Sequence, residues 1–369
     1  MFPQLLERLG RREDLTADQA ADAMDAVMDG RATAVEMTAL LVGLAMKGQR
    51  ATEIVGLARA MRSHAVKLPA VDRSGKIVDL CGTGGDMSGT FNISSLAAVV
   101  VAGCGVKVAK HGNRGVSSSC GSADLLEELG VNLEASPAGV AACLAEAGLG
   151  FLFAPAFHPA MRHAAAVRRE LKVRTAFNLL GPLTNPAAPD RQIVGVPRPD
   201  LTELVARALL LLGSERAWVV HGADGLDELS TTGHSKVSEC YAGVVRTFYV
   251  HPSDFGIRVA GPAALRGGDP RESAAIARRV LDGEPGPARD IVLLNSGAAL
   301  FVAGAATSVR DGIEQGAQAI DRGHARLVLE RLVRLSGARG HEHTKARRTD
   351  SLCHAATEAN GAAKATEKA

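Results

Sequence analysis

Two hydrophobic rhythms divide the chain. Through about residue 70 the apolar positions recur at helical spacing between tight turns: Thr16 with Gln19 and Thr33 with Glu36 match the capping-box pattern, and Gly30 and Gly48 sit where helices should end. Leu40, Leu41, Leu44 and Met46 put apolar surface on more than one side of one helix, so this layer must dock, either on its own chain or on a second subunit. From about residue 76 short apolar runs alternate with helical stretches. Strands are expected over 77–80, 106–109, 151–154, 193–196 and 217–220, with helices over 94–103, 122–129, 138–147 and 201–212. Residues 235–250 read as an antiparallel excursion, and 272–281, 288–301 and 309–335 as helices. The fold class that follows is α/β: a small all-α N-terminal domain and a larger α/β domain with a mainly parallel central sheet.

The polar residues that interrupt this pattern cluster after the first two strands. Gly82-Thr83-Gly84-Gly85-Asp86 follows the first, and its glycines let backbone N–H groups approach an anion closely. Asn92-Ile93-Ser94-Ser95 then opens a helix, whose free N–H groups and dipole end also favour an anion. Lys110-His111-Gly112-Asn113-Arg114 follows the second strand, at the same carboxyl edge, where open α/β sheets bind ligands. Two anion devices on one edge imply a polyphosphorylated ligand. The spacing matches neither a Walker loop nor a dinucleotide fingerprint, which points away from nucleotide hydrolysis and hydride transfer.

Composition narrows the remaining classes. With 46% hydrophobic and 22% charged residues over 369 positions, the chain is ordinary globular material for two or three domains. A net charge of +2 and 3% aromatics argue against a polycation or a base-stacking platform. Six cysteines (Cys81, Cys104, Cys120, Cys143, Cys240 and Cys353) form no C-x-x-C pair and suggest neither zinc nor a disulfide framework, so a reducing, cytoplasmic setting is expected. No export signal or membrane helix is expected, because the apolar runs are too short to span. From Ser336 to residue 369 large apolar residues almost vanish, and a disordered tail is expected.

The ordered set formed by these three motifs, Phe177-Asn178-Leu179-Leu180-Gly181-Pro182-Leu183-Thr184-Asn185-Pro186 and Asp224-Gly225-Leu226-Asp227-Glu228 resembles the anthranilate phosphoribosyltransferases over about residues 1 to 335. The resemblance implies transfer of 5-phosphoribosyl from phosphoribosyl diphosphate to the amine of anthranilate, with release of diphosphate, in the tryptophan pathway. It also implies Mg²⁺, a nucleoside-phosphorylase-like architecture and a homodimer joined through a helical domain. That domain would span residues 1–70, completed by about 166–188; residues 71–165 and 189–335 would form the α/β domain, with the site in the cleft between.

Position by position, the resemblance places phosphoribosyl diphosphate contacts at Gly82, Gly85, Asp86, Thr90, Asn92, Ile93, Ser94, Ser95, Lys110, His111, Gly112, Asn113, Arg114, Gly115, Val116, Ser117, Ser118 and Ser122. Metal contacts fall on Ser94, Asp227 and Glu228, and adjacent carboxylates suit Mg²⁺, which commonly bridges them to phosphates. Anthranilate contacts fall on Gly82, Asn113 and Arg168, with His111 and His158 near the ring. A guanidinium suits a carboxylate, though Arg162, Arg169 and Arg174 lie nearby in sequence. The implied chemistry is substitution at the anomeric carbon with oxocarbenium-like character, with no covalent nucleophile and no assigned general base.

The pattern departs from the resemblance at Ser119, where many relatives carry Lys or Arg, and at Thr232-Gly233-His234-Ser235-Lys236, in place of a frequent Gly-Pro-Thr-Lys. Two rival readings are weighed. A pyrimidine nucleoside phosphorylase on the same fold would carry a Lys followed by a Ser-Thr-Gly-Gly-Val-Gly-Asp type loop, unlike His111-Gly112-Asn113-Arg114. A non-catalytic nucleic-acid-binding relative would concentrate basic residues on one face, against the near-neutral balance and the intact Asp227-Glu228 pair.

Overall fold

The computed structural model describes residues 1–69, 71–72, 75–115 and 119–337. Four helices come first: α1 (Phe2–Gly10), α2 (Ala17–Met28), α3 (Ala34–Lys47) and α4 (Ala51–Ser63). Both expected capping boxes close, with Thr16 and Thr33 accepting from the N–H groups of Gln19 and Glu36 and those side chains bonding back. A buried polar knot joins the layer: Glu53 accepts the Leu15 N–H at 2.8 Å and the Arg50 N–H at 2.8 Å, and pairs with Lys47 at 3.0 Å.

The sheet comprises β1 (Ile77–Gly82), β2 (Lys107–Gly112), β3 (Leu149–Phe153), β4 (Arg191–Gly195), β5 (Arg216–Gly222), β6 (Ser235–Tyr241) and β7 (Val244–Val250). Its order is β3-β2-β1-β4-β5-β6-β7, parallel through β5 and antiparallel beyond. The chain therefore leaves β1 outward to β2 and β3, then returns to β1's other side as β4. That reversal opens a crevice at the carboxyl ends of the strands, where the glycine turn lies.

The connecting helices are α5 (Ile93–Gly103), α6 (Ser122–Glu128), α7 (Pro137–Glu146), α8 (Ala154–Phe157), α9 (Arg162–Leu171), α10 (Phe177–Leu180) and α11 (Leu201–Leu211). α12 (Pro270–Leu281), α13 (Pro287–Ala303), α14 (Val309–Asp321) and α15 (His324–Leu335) complete the chain. Strand alternation sorts the core into two faces. Ile193, Trp218 and Val220 join the cluster of α5 and α12 to α15, whereas Val194, Val196, Ala217 and Val219 join that of α1 to α4, α9, α10 and α11. The N-terminal helices thus dock on their own chain: Leu40, Leu41 and Leu44 are buried, while Met46 and Val35 remain 77% and 78% exposed.

Three local expectations need correction. The helix expected over 309–335 breaks at Gly323, whose φ of 74° ends one helix and starts another. β2 runs on to Gly112, so Lys110 and His111 are strand residues, not loop residues. Ser336 is buried and its hydroxyl accepts the Asn132 N–H at 3.0 Å, so order extends past the expected start of the tail; residues from 338 onward lie outside the described residues. No helix among the described residues is long and apolar enough to cross a membrane.

Candidate active site

β1 and β4 end side by side in glycine, and the turn that follows β5 sits on both. A Cβ at Gly82 would stand 2.4 Å from Asp227 Oδ2, and one at Gly195 would stand 1.5 Å from the Asp227 carbonyl oxygen, so neither strand end tolerates a side chain. This approach lets Asp227 Oδ2 accept the Gly84 N–H at 3.0 Å. The next carboxylate, Glu228 Oε1, accepts the N–H of Ser94 in the first turn of α5, also at 3.0 Å. Two anion-binding amides and two acids, far apart in sequence, become one cluster.

Burial raises the pKa of both carboxyls; Asp86 adds to the effect on Asp227, and Asp227 to that on Glu228. The counter-charge is Lys110, 3% exposed, whose attraction opposes the rise at Glu228. Its ammonium donates to the Leu80 carbonyl at 2.5 Å and to Ser94 Oγ at 3.2 Å. Mutually repelling hard oxygen ligands, held by backbone N–H groups and outnumbering their cation, are a donor set that fits Mg²⁺. Among the described residues no cluster of three or more His, Cys, Asp or Glu is placed to hold a metal ion.

The second anion loop is organised by Asp124 on α6. Its carboxylate accepts the Gly115 N–H at 2.8 Å, the Gly121 N–H at 2.9 Å and the Arg114 guanidinium at 2.9 Å. Glu127 binds the same guanidinium at 2.7 Å, and these acids raise the Arg114 pKa further. Arg114 is therefore turned back onto α6, and the Gly115 amide is spent within the loop. Ser122 Oγ donates to the Asn113 carbonyl at 3.3 Å, and Ser119 donates to that of Gly268 at 2.7 Å. Val116, Ser117 and Ser118 lie outside the described residues.

Asn92 departs from its expected role. It stands at the helix start but makes no side-chain cap; its amide donates instead to the Cys120 carbonyl at 3.1 Å, tying the helix to the second loop. Ile93 is core, so only its backbone can face a ligand, whereas Ser95 Oγ is buried without a hydrogen-bond partner. The Thr90 and Ser88 hydroxyls lie 3.2 Å apart beside the glycine turn, and the Gly85 carbonyl accepts from Arg174 across the cleft. The first loop, the start of α5 and the end of β2 come together as the motifs suggest.

Beyond β2 lies a drier region. The His111 and His158 rings are 5.2 Å apart, and His111 Nδ1 bonds the Gly181 carbonyl at 3.0 Å. Burial holds both imidazoles neutral, lowering the pKa of His111 to about 3 and that of His158 to about 4. Neither Nε2 has a partner. Arg168 on α9, an exposed residue, lies with its guanidinium over the Phe177 ring at 5.2 Å.

Phosphate-type cradles, a half-buried acid pair and a helical layer against a switch-point sheet are the features of a glycosyl-group transferase. Residues 74–326 match the α/β domain of the glycosyl transferase family, and residues 3–65 match its helical bundle domain. The anthranilate phosphoribosyltransferase of Moorella thermoacetica is 52% identical over 333 residues, 90% of this chain and 98% of that protein. That of Desulfatibacillum aliphaticivorans is 48% identical, covering 92% of this chain and all of the relative. The crystal structure of the Thermus thermophilus enzyme superposes with a TM-score of 0.85 at 46% identity, covering 90% of this chain and 99% of that one. The Saccharomyces cerevisiae enzyme in complex with PRPP and Mg gives 0.82 at 28% identity, covering 91% and 97%. The chain belongs to the anthranilate phosphoribosyltransferase family.

Sequence reasoning gave no role to Asp79, Asp124 or Gly195, and none to Asn185 beyond its place in the 177–186 motif, although all four build the site. One signal was present: Asp79 is a lone carboxylate inside an apolar strand, and such a residue needs a partner.

Proposed function

We infer that the cleft transfers 5-phosphoribosyl from phosphoribosyl diphosphate to the amine of anthranilate, releasing diphosphate. The observation that carries this is the convergence of Asp227 on the Gly84 amide and of Glu228 on the Ser94 amide, which joins an acid pair to two phosphate-type cradles. Asp227, Glu228 and the Ser94 hydroxyl would hold Mg²⁺, which when bound offsets negative charge on the departing diphosphate. The chain's own groups do the rest. Those backbone amides of 82–86 and 92–95 not already given to Asp227 and Glu228, with the Lys110 ammonium, orient the diphosphate and favour charge building on it. Lys110 is held rigidly, since its ammonium is already bonded to Leu80 and Ser94.

On the amine side, Arg168 with its guanidinium against Phe177 is suited to the anthranilate carboxylate. His111 and His158, neutral and buried, line the ring and keep water away, with Gly82 and Asn113 at the junction with the phosphoribosyl group. Phosphoribosyl diphosphate contacts are assigned to Gly82, Gly85, Asp86, Thr90, 92–95, 110–118 and Ser122. Within that set Arg114 must leave Asp124 and Glu127 to reach a phosphate; otherwise it serves the loop's shape alone.

The division into a helical domain of residues 1–70 completed by 166–188 and an α/β domain is part of this reading. So are a homodimer through the helical layer, supported by exposed Val35 and Met46 on α3, and a cytoplasmic setting. The test follows anthranilate fluorescence with purified protein while phosphoribosyl diphosphate and Mg²⁺ are omitted in turn. Decay that needs every component, with equal diphosphate released, is expected; no decay at high enzyme concentration refutes the reading.

A further inference from the structure

The sheet is pried open at the site. β1 and β2 share a register only at Ile77↔Lys107 and Val78↔Val108, whereas β1 stays beside β4 to Gly82↔Gly195 and β2 beside β3 to Gly112↔Phe153. Past Val78 and Val108, side chains take over backbone groups of the two strands. Asp79 Oδ1 accepts the His111 N–H at 3.2 Å. Asn185 Nδ2 donates both to Asp79 Oδ2 and to the Ala109 carbonyl, each at 2.8 Å. Lys110 Nζ takes the Leu80 carbonyl.

Asp79 and Asn185 are 0% and 1% exposed, so they are wedge material rather than ligand contacts. A buried carboxylate is costly unless compensated; burial raises the Asp79 pKa, and the Lys110 charge, Asn185 and the His111 amide offset that rise only in part. Asn185 is itself oriented, since its Oδ1 accepts the Ala187 N–H at 2.9 Å. It belongs to the segment whose Gly181 carbonyl holds the His111 ring and whose Leu183 carbonyl receives Arg62 Nε from α4 at 2.7 Å. One polar pair therefore touches three parts: the strand before the glycine turn, the strand carrying Lys110 and His111, and the crossover to the helical layer.

We propose that Asp79 and Asn185 are positioning residues that hold the carboxyl ends of β1 and β2 apart and so set the distance between the two phosphate-binding segments. This rests on the phosphate reading of the site. Separation matters because both segments must reach one diphosphate, and losing one hydrogen bond to a charged ligand costs roughly tenfold or more in affinity. Asp79→Asn keeps the volume but turns an NH₂ toward either Asn185 Nδ2 or the His111 N–H, so at least one bond is lost. Asn185→Ala removes the donor to both strands.

The test measures binding of inorganic diphosphate with Mg²⁺ by calorimetry, well below each variant's melting temperature. The control is Leu5→Ala on α1, a buried position in the helical layer away from the wedge. Asp79→Asn and Asn185→Ala should bind diphosphate more weakly by roughly tenfold or more, while Leu5→Ala, though less stable, binds as the parent does. Parent-like affinity in both wedge variants overturns the proposal, as does an equal loss in Leu5→Ala. Should Asp79→Asn fail to fold, Asn185→Ala and Asn185→Ser decide by the same comparison. Weakened diphosphate binding in the variants of a parent that transfers nothing to anthranilate would sink the proposed reaction and leave the wedge standing.

Discussion

Arg168 and His111 show how much a single side chain's surroundings decide here. Arg168 carries its guanidinium over the Phe177 ring, 5.2 Å from the centroid, and a guanidinium suits a carboxylate. Arg168→Ala should raise KM for anthranilate by roughly tenfold or more, a charge-assisted bond's worth, and leave that for phosphoribosyl diphosphate closer to the parent. The reverse ranking in steady-state kinetics would move the carboxylate elsewhere, with Arg174 the next candidate. His111 makes a prediction about stability. Its folded pKa of about 3 lies below the usual 6.5 of an unfolded histidine, so below pH 6.5 the unfolded chain binds the extra proton and stability falls as pH drops. By pH 5 that is about 2 kcal/mol from this one ring. Urea unfolding at pH 7 and pH 5 should show His111→Gln losing less than the parent by about that amount, and equal losses would mean the ring titrates normally when folded. Motif residues such as Asp227 and Glu228 were legible one by one. The bond between Asp79 and Asn185 was not, because it spans 106 positions and no local pattern encodes it.

The helix caps were the most legible elements. Thr33 and Glu36 form their reciprocal bonds as the four-residue spacing predicts, since everything the motif needs is local. Thr33→Ala should cost about 1 kcal/mol and lower the melting temperature while leaving turnover at 25 °C unchanged. A calorimetric scan and one rate measurement check both halves. β2 was read short for an instructive reason. Hydrophobicity stops at Ala109, yet the strand continues through Lys110 and His111 because Leu80, Ser94, Asp79 and Gly181 satisfy their polar groups. Polar residues at the functional end of a strand look like loop to any rule based on burial alone. The break at Gly323 was hidden in the opposite way, by helical periodicity that continues on both sides of it.

For the whole molecule, alternation of strand and helix was enough to predict a mainly parallel sheet and its carboxyl edge as the ligand side, whereas the reversal of strand order at β1 was not read. The packing of the N-terminal helices on the sheet was not legible, because an apolar helix does not say which surface will cover it. The same architecture has a consequence in time. β1 must wait for β4, and the Gly84 amide meets Asp227 across 143 positions of chain. Non-local closure of this kind is slow compared with helix formation. After dilution from denaturant, far-UV circular dichroism should therefore recover before transferase activity, and simultaneous recovery would show the cleft forming with the first helices. During synthesis the ordering is stricter still: the glycine turn leaves the ribosome first and Asp227 is translated 143 residues later, so the Gly84 amide stays without this partner through all of that interval.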